Sequence, residues 1–276
     1  MRSINQSGLV VGDSNFGKDF THAAVFSNGS VKDLGTLKSG GNFSRANGIN
    51  ANGQVIGSSS EKPDLAFGRA FIVSTFDRSG MTDLGTLGGA YAQAWVINDS
   101  GFVTGNSQIK SDLGPTHAFI WERNAGMVDL GTLAGDFSYG TSINANNHVA
   151  GYSTIDKDND RVHAFLHDGK QMLDLGSLGG AAFGNDRSFA LGVNANDQVV
   201  GYSYRPIDRM QQVAFIYRDG LMVDLNSLIM DSAQEYLLVS ATAINDRGQI
   251  VALALVKSAG TYHAVLLTPI GDVRGN

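Results

Sequence analysis

The sequence predicts an all-β fold: a six-bladed β-propeller of four-stranded antiparallel blades, with an incomplete blade at the seam. Three observations predict it. Four short phrases recur in the same order along the 276 residues. Within each phrase apolar and polar residues alternate with the period of a strand. The 35 glycines against 4 prolines supply many tight turns between short strands. Five complete blades, or part of a larger array, are the alternative counts.

The phrases justify the blade element by element. The first is an Ile/Val-Asn pair at Asn5, Asn50, Asn98, Asn144, Asn194 and Asn245, spaced 45, 48, 46, 50 and 51 residues apart. It ends an inner strand and enters a turn such as Asn50-Ala51-Asn52-Gly53, where positive φ and local Asx bonds are tolerated. The second is an apolar-polar run, Gly53 to Ser58 or Asp197 to Ser203, and reads as the second strand. The third is His-Ala-Phe or a variant, at His22, Arg69, His117, His163, Val213 and His263. The fourth is Asp-Leu-Gly-Thr-Leu or a variant, beginning at Asp33, Asp83, Asp129, Asp174 and Asp224. Hairpin signals such as Asn28-Gly29 and Asp219-Gly220 join the last two. Each copy is therefore a four-stranded meander, and stacking meanders hides both faces of each sheet between neighbours. Recurrent glycines Gly57, Gly105, Gly151 and Gly201 are expected to allow close packing between blades. A stunted start and no convincing fourth phrase after Leu267 leave the seam incomplete. The whole chain, 1–276, reads as one propeller domain of six repeats.

Composition narrows the function. Net charge is -6 and no run of five like charges occurs, so nucleic acid is not an expected partner. The chain has no cysteine, which excludes disulfide and thiol chemistry. No apolar stretch approaches the roughly 18 residues of a membrane-spanning helix, so membrane insertion is not expected. The amino terminus shows no signal-peptide pattern; a leader is expected to be absent or to lie outside this chain. No cofactor is called for, and a monomer is expected.

Asp83 to Gly89 (Asp-Leu-Gly-Thr-Leu-Gly-Gly), Ile143 to Ser153 and His163-Ala164-Phe165 together resemble the HAF family of extracellular bacterial repeat proteins. The resemblance covers nearly the whole chain. It implies a bacterial, secreted protein and carries over no catalytic residue. Departures are Val213 in the histidine position, Asn226 in place of the fourth-phrase glycine, and Val251-Ala252-Leu253 in the last copy.

Strand order locates the working face. Turns between strands one and two, and three and four, are short and stereotyped. The connections from two to three, and from four into the next copy, are long and differ between copies, which suits recognition. These include 15–19, 61–65, 110–112, 156–161 and 205–209, with aromatics Phe43, Tyr91, Phe137, Tyr139, Phe183 and Tyr236 in or beside the cross-blade connections. Arg45, Tyr91, Gln93, Tyr139, Phe189 and Tyr236 are the expected ligand-binding residues, lining an axial mouth where ring stacking and amides would hold a glycan, peptide or protein surface.

Residues that recur are poor candidates for chemistry. Histidines repeated once per blade are spread out, whereas a metal needs converging ligands; hydrogen bonding between strands or blades explains them better. The repeated Asp and Asn residues read as acceptors for backbone N–H groups at turns. Asp156, Asp158 and Asp160 suggest calcium, but Arg161 and His167 stand where an EF-hand loop wants glycine and glutamate. The expected function is non-catalytic binding. The alternative is a carbohydrate-active hydrolase or lyase using the single-copy residues Arg45, Asp136, Asp186, Arg187 and Glu235.

Overall fold

In a computed structural model, the described residues are 1–16, 20–37, 42–61, 68–76, 80–110, 114–179, 186–205, 211–230 and 235–270. Among them six antiparallel sheets form in chain order. Sheet one is Ser3–Ile4 (β1), Val10–Asn15 (β2), Thr21–Ser27 (β3) and Ser30–Asp33 (β4). Sheet two is Phe43–Ile49 (β5), Gln54–Ser60 (β6), Arg69–Ser74 (β7) and Thr82–Asp83 (β8). Sheet three is Ala92–Ile97 (β9), Val103–Gln108 (β10), Thr116–Glu122 (β11) and Gly126–Asp129 (β12). Sheet four is Ser138–Ile143 (β13), Val149–Thr154 (β14), Val162–His167 (β15) and Met172–Asp174 (β16). Sheet five is Ser188–Val193 (β17), Val199–Tyr204 (β18), Gln212–Arg218 (β19) and Leu221–Asp224 (β20). Sheet six has Tyr236–Ile244 (β21), Ile250–Val256 (β22) and Thr261–Leu267 (β23).

Each strand pairs with its neighbour in sequence, so every sheet is a meander. The fold is all-β, and these are the sheets of a six-bladed β-propeller. Among the described residues the first and last copies are the short ones, as the phrases predict: β1 has two residues and sheet six has three strands. Contacts gather the chain into two compact units, Met1–Gly131 and Thr132–Asn276, each holding three copies.

Within each unit the core lies between successive sheets. Val11 and Val25 of sheet one pack with Val55 and Phe71 of sheet two, and Ile56 and Ile72 pack with Val103 and Phe119 of sheet three. In the second unit Ala150 and Leu166 meet Val199 and Phe215, while Val200 and Ile216 meet Leu238 and Ile250. The third-phrase phenylalanines Phe71, Phe119, Phe165 and Phe215 are wholly buried. Burying each stabilises by about 1.5–3 kcal/mol, which explains why that phrase recurs.

The glycines of the second phrase work differently from the expectation. A Cβ on Gly57, Gly105, Gly151 or Gly201 would lie 1.9 Å from the carbonyl oxygen of Arg45, Gln93, Tyr139 or Phe189, the inner-strand residue of the same sheet. The close approach is therefore within a blade. It accompanies a β-bulge in the inner strand, where the register slips by one residue.

Successive sheets are also latched by side chains. The Asn5 amide donates to the Asn50 carbonyl, Asn50 to Asn98, Asn144 to Asn194 and Asn194 to Asn245, at 2.9–3.1 Å. Each Oδ1 accepts backbone N–H groups of its own turn, as at Gln54 and Gln198. The repeated asparagine thus caps a turn and ties one blade to the next.

Candidate functional site

The third and fourth phrases meet through polar side-chain contacts. His22 lies 2.9 Å from Asp33, His117 2.9 Å from Asp129, and Arg69 3.0 Å from Asp83. Each aspartate also accepts the N–H two residues ahead, as from Gly35, Gly85 and Gly131. Where Val213 replaces the histidine, Arg205 reaches in from another connection to pair with Asp224. These contacts belong to the frame, since they repeat. The acidic run of 156–160 closes on itself: Asp156 accepts from the Asp160 N–H and from Arg161.

Two positions in each copy do not follow the frame. They are the residue five before the repeated asparagine and the residue eight after it, which face each other across the first two strands. The pairs are Arg45–Ser58, Gln93–Asn106, Tyr139–Tyr152 and Phe189–Tyr202. In sheet two Arg45 reaches Asp13 of sheet one at 3.3 Å. Sheets four and five place only aromatic rings there. Tyr139 stacks on Tyr152 with centroids 5.0 Å apart, Tyr152 meets Phe189 edge-on at 5.0 Å, and Phe189 stacks on Tyr202 at 4.8 Å. Tyr204 adds a further edge contact at 6.2 Å. The result is an aromatic ladder across two blades.

A cleft of 230 Å3 opens beside it, lined by Phe137, Tyr139, Tyr152, Thr154 and Val162. Its size falls below the roughly 300–1,000 Å3 of drug-sized pockets, so it suits one small ring or residue. Burial pushes the Tyr152 hydroxyl up to about 12, with Tyr139 and Tyr202 adding to the rise. Tyr152 therefore stays uncharged through neutral pH.

Beside this cleft sits His163, and its surroundings depart from those of the other copies. Its Nδ1 lies 2.7 and 2.9 Å from the Asp174 oxygens, and its Nε2 lies 2.9 Å from Asp186 Oδ1. Ser177 donates to Asp186 at 2.5 Å, and Arg161 lies 3.7 Å from its other oxygen.

Of the six residues expected to bind, Tyr139 and Phe189 share the ladder. Arg45, Tyr91 and Gln93 lie in the first unit, with the Tyr91 hydroxyl 2.7 Å from Thr116 Oγ1. Tyr236 opens β21, opposite Val256, and is 37% exposed. Phe183 and most of the two-to-three loops, including 17–19, 62–65, 111–112 and 206–209, lie outside the described residues. Tyr152, Tyr202 and Tyr204 were not expected; the signal for the first two was tyrosine at one repeat position in only two adjacent copies. The five single-copy candidates for catalysis have separate partners. Arg45 pairs with Asp13, Asp136 with Asn159, Arg187 with the Asp160 carbonyl, and Glu235 with the Ser258 N–H. Asp186 is held by His163 and Ser177, an order that gives the serine a carboxylate partner in place of the imidazole of a Ser-His-Asp triad.

Fold and site together define a repeat protein of the β-propeller class that carries an aromatic ladder on its second unit. More particularly, the chain belongs to the family described as Protein of unknown function (DUF3466), which matches residues 42–264. No curated protein matches the chain. Among solved structures it is similar to the β-propeller domain of the Trilobed protease from Pyrococcus furiosus, whose description gives an open velcro topology. That likeness is 8% in identity, covers 93% of this chain and 90% of the other, and has a TM-score of 0.39.

Proposed function

We propose that this protein is a non-catalytic binding protein that recognises a glycan through the ladder and cleft of its second unit. The observation that carries the reading is the continuous run Tyr139–Tyr152–Phe189–Tyr202 beside a cleft the size of one small ring. Packing alone does not require it, because sheets one and two fill the same layer with Asp13, Arg45 and Ser58. Aromatic rings offer broad apolar area with little side-chain freedom to lose, which suits the C–H faces of a sugar. Separate partners for the five catalytic candidates favour binding over hydrolysis or lyase chemistry. By its resemblance to the HAF family, we place this activity outside a bacterial cell.

An array of immobilised oligosaccharides, probed with the intact chain and with Tyr152→Ala, tests this. At least one glycan should be retained by the intact chain, and Tyr152→Ala should weaken it about tenfold or more, the equivalent of 1.4 kcal/mol. Retention of peptides or proteins but no glycan, or equal retention by the variant, would defeat the glycan reading.

A further inference from the structure

We propose that protonated His163 is the positioning residue of the aromatic cleft, holding its Val162 wall against Arg187 of the next sheet. The proposal rests on the cleft described above. His22 and His117 each face one aspartate, through Nδ1. Among the described residues His163 alone has a carboxylate at both ring nitrogens, Asp174 at Nδ1 and Asp186 at Nε2. A neutral imidazole carries one N–H and one lone pair, so it can satisfy only one of them and turns its lone pair on the other. Only the imidazolium satisfies both. His163 is 8% exposed and Asp186 5%, so water is poorly placed to relieve the mismatch.

The groups around the ring fix the sign. Asp174 comes from β16, and Asp186 from just before β17. Arg161, just before β15, reaches the far side of Asp186 and is itself held by Asp156 at 2.8 Å. Two cations thus sit among three carboxylates, and loss of the His163 proton leaves that excess of negative charge larger. Burial pulls the imidazole down, but its bonds to Asp174 and Asp186 outweigh it and hold the group above its usual 6.5. A raised value in the folded protein means that the clasp is fully formed below about 6.5 and is lost as pH rises through the folded value.

The clasp is one residue from the cleft at Val162, and one residue from Val162's bridge partner at Arg187. Val162, which lines the cleft, precedes His163, and Arg187 follows Asp186. Val162 and Arg187 are joined across the two sheets by an isolated parallel bridge. Opening the clasp removes a side-chain tie between the two sheets one residue from each end of that bridge. The frame does not need this arrangement, because copies one and three keep a single carboxylate and copy five has Val213 instead of histidine.

Nuclear magnetic resonance of the intact chain tests this without a ligand. The His163 ring and the Val162 methyls are followed from pH 5 to 9 in the wild type, His163→Gln and Asp186→Asn. The Val162 methyls, which line the same cleft as Tyr139 and Tyr152, should shift with the same midpoint as His163, above about 6.5. His163→Gln should abolish that transition, and Asp186→Asn should move it to lower pH. Should His163→Gln fail to fold, the near-isosteric Asp186→Asn carries the test. Val162 methyls that stay flat while His163 titrates would overturn the proposal. Binding of the glycan best retained on the array separates the two readings. Affinity that falls at least tenfold across the same midpoint supports both. Affinity that is flat with pH leaves the glycan reading standing and overturns the clasp. Methyls that titrate in a chain that retains no glycan leave the clasp standing and defeat the glycan reading.

Discussion

The asparagine of the first phrase shows how one residue type can be required six times without taking part in chemistry. Asn50 is 3% exposed; its amide donates to Gln54 Oε1 and the Asn98 carbonyl, and its Oδ1 accepts the Gln54 N–H. Asn50→Ala would leave the Gln54 N–H without its acceptor and the Asn98 carbonyl with only the Gly101 N–H, at a cost of roughly 1–3 kcal/mol. Asn52, two residues on, makes an exposed bond to the Asp99 carbonyl, and Asn52→Ala should cost within about 0.5 kcal/mol. Paired urea titrations check the contrast: a lowered midpoint for the first variant and an almost unmoved one for the second. The turn role was legible in the sequence, because Asn-Ala-Asn-Gly is a turn signal. The bond to the next copy was not, since a partner 48 residues away leaves no local trace. Val213 teaches the same at another site. The missing histidine could be read from the sequence, but its replacement by Arg205 depends on where a connecting loop returns.

At the scale of the strand and sheet, the inner-strand bulge decides which residues can follow the repeated asparagine. In Gly151→Ala the new Cβ would meet the Tyr139 carbonyl oxygen at 1.9 Å, with the Phe165 ring 2.8 Å away on the other side. Backbone cannot yield as a side-chain tip does, so a loss of about 1–3 kcal/mol is expected, read as a lowered thermal midpoint. The same shift would displace Tyr139 relative to Tyr152, and any glycan affinity should fall with stability. Strand number and order could be read from the phrases because period-two alternation and turn residues are local signals. The bulges could not, because a one-residue slip is a property of the pairing. For that reason the glycines read, from the sequence alone, as packing between blades. In sheet six Ala252 takes the glycine position, and there the register slips at two places, between Leu238 and Ser240 and between Ala241 and Ala243. The seam copy is thus folded to a different pattern, in keeping with its divergent phrases.

Across the molecule, six copies share one frame and differ at a few layers of it. Asp13 with Arg45, Gln93 with Asn106, and the rings of copies four and five occupy equivalent positions with unlike chemistry. Tyr139 and Phe189 are legible in the sequence through their place at the inner strand. Tyr152 and Tyr202 are not, because both sit inside the Gly-Tyr-Ser portion of a strand phrase that otherwise looks structural. Comparing copies position by position separates the two, since Ser58, Asn106 and Leu253 hold the same place elsewhere. The central claim is that the rings, and not the repeated His-Asp frame, contact the ligand. The most direct measurement is a titration of the intact chain, with tyrosine ring resonances assigned, against the oligosaccharide best retained on the array. The account predicts that Tyr139 and Tyr152 shift progressively to saturation while Tyr262, exposed on sheet six, stays in place. Saturable shifts at Tyr262 or at the His22 and His117 rings, with Tyr139 and Tyr152 unmoved, would contradict it.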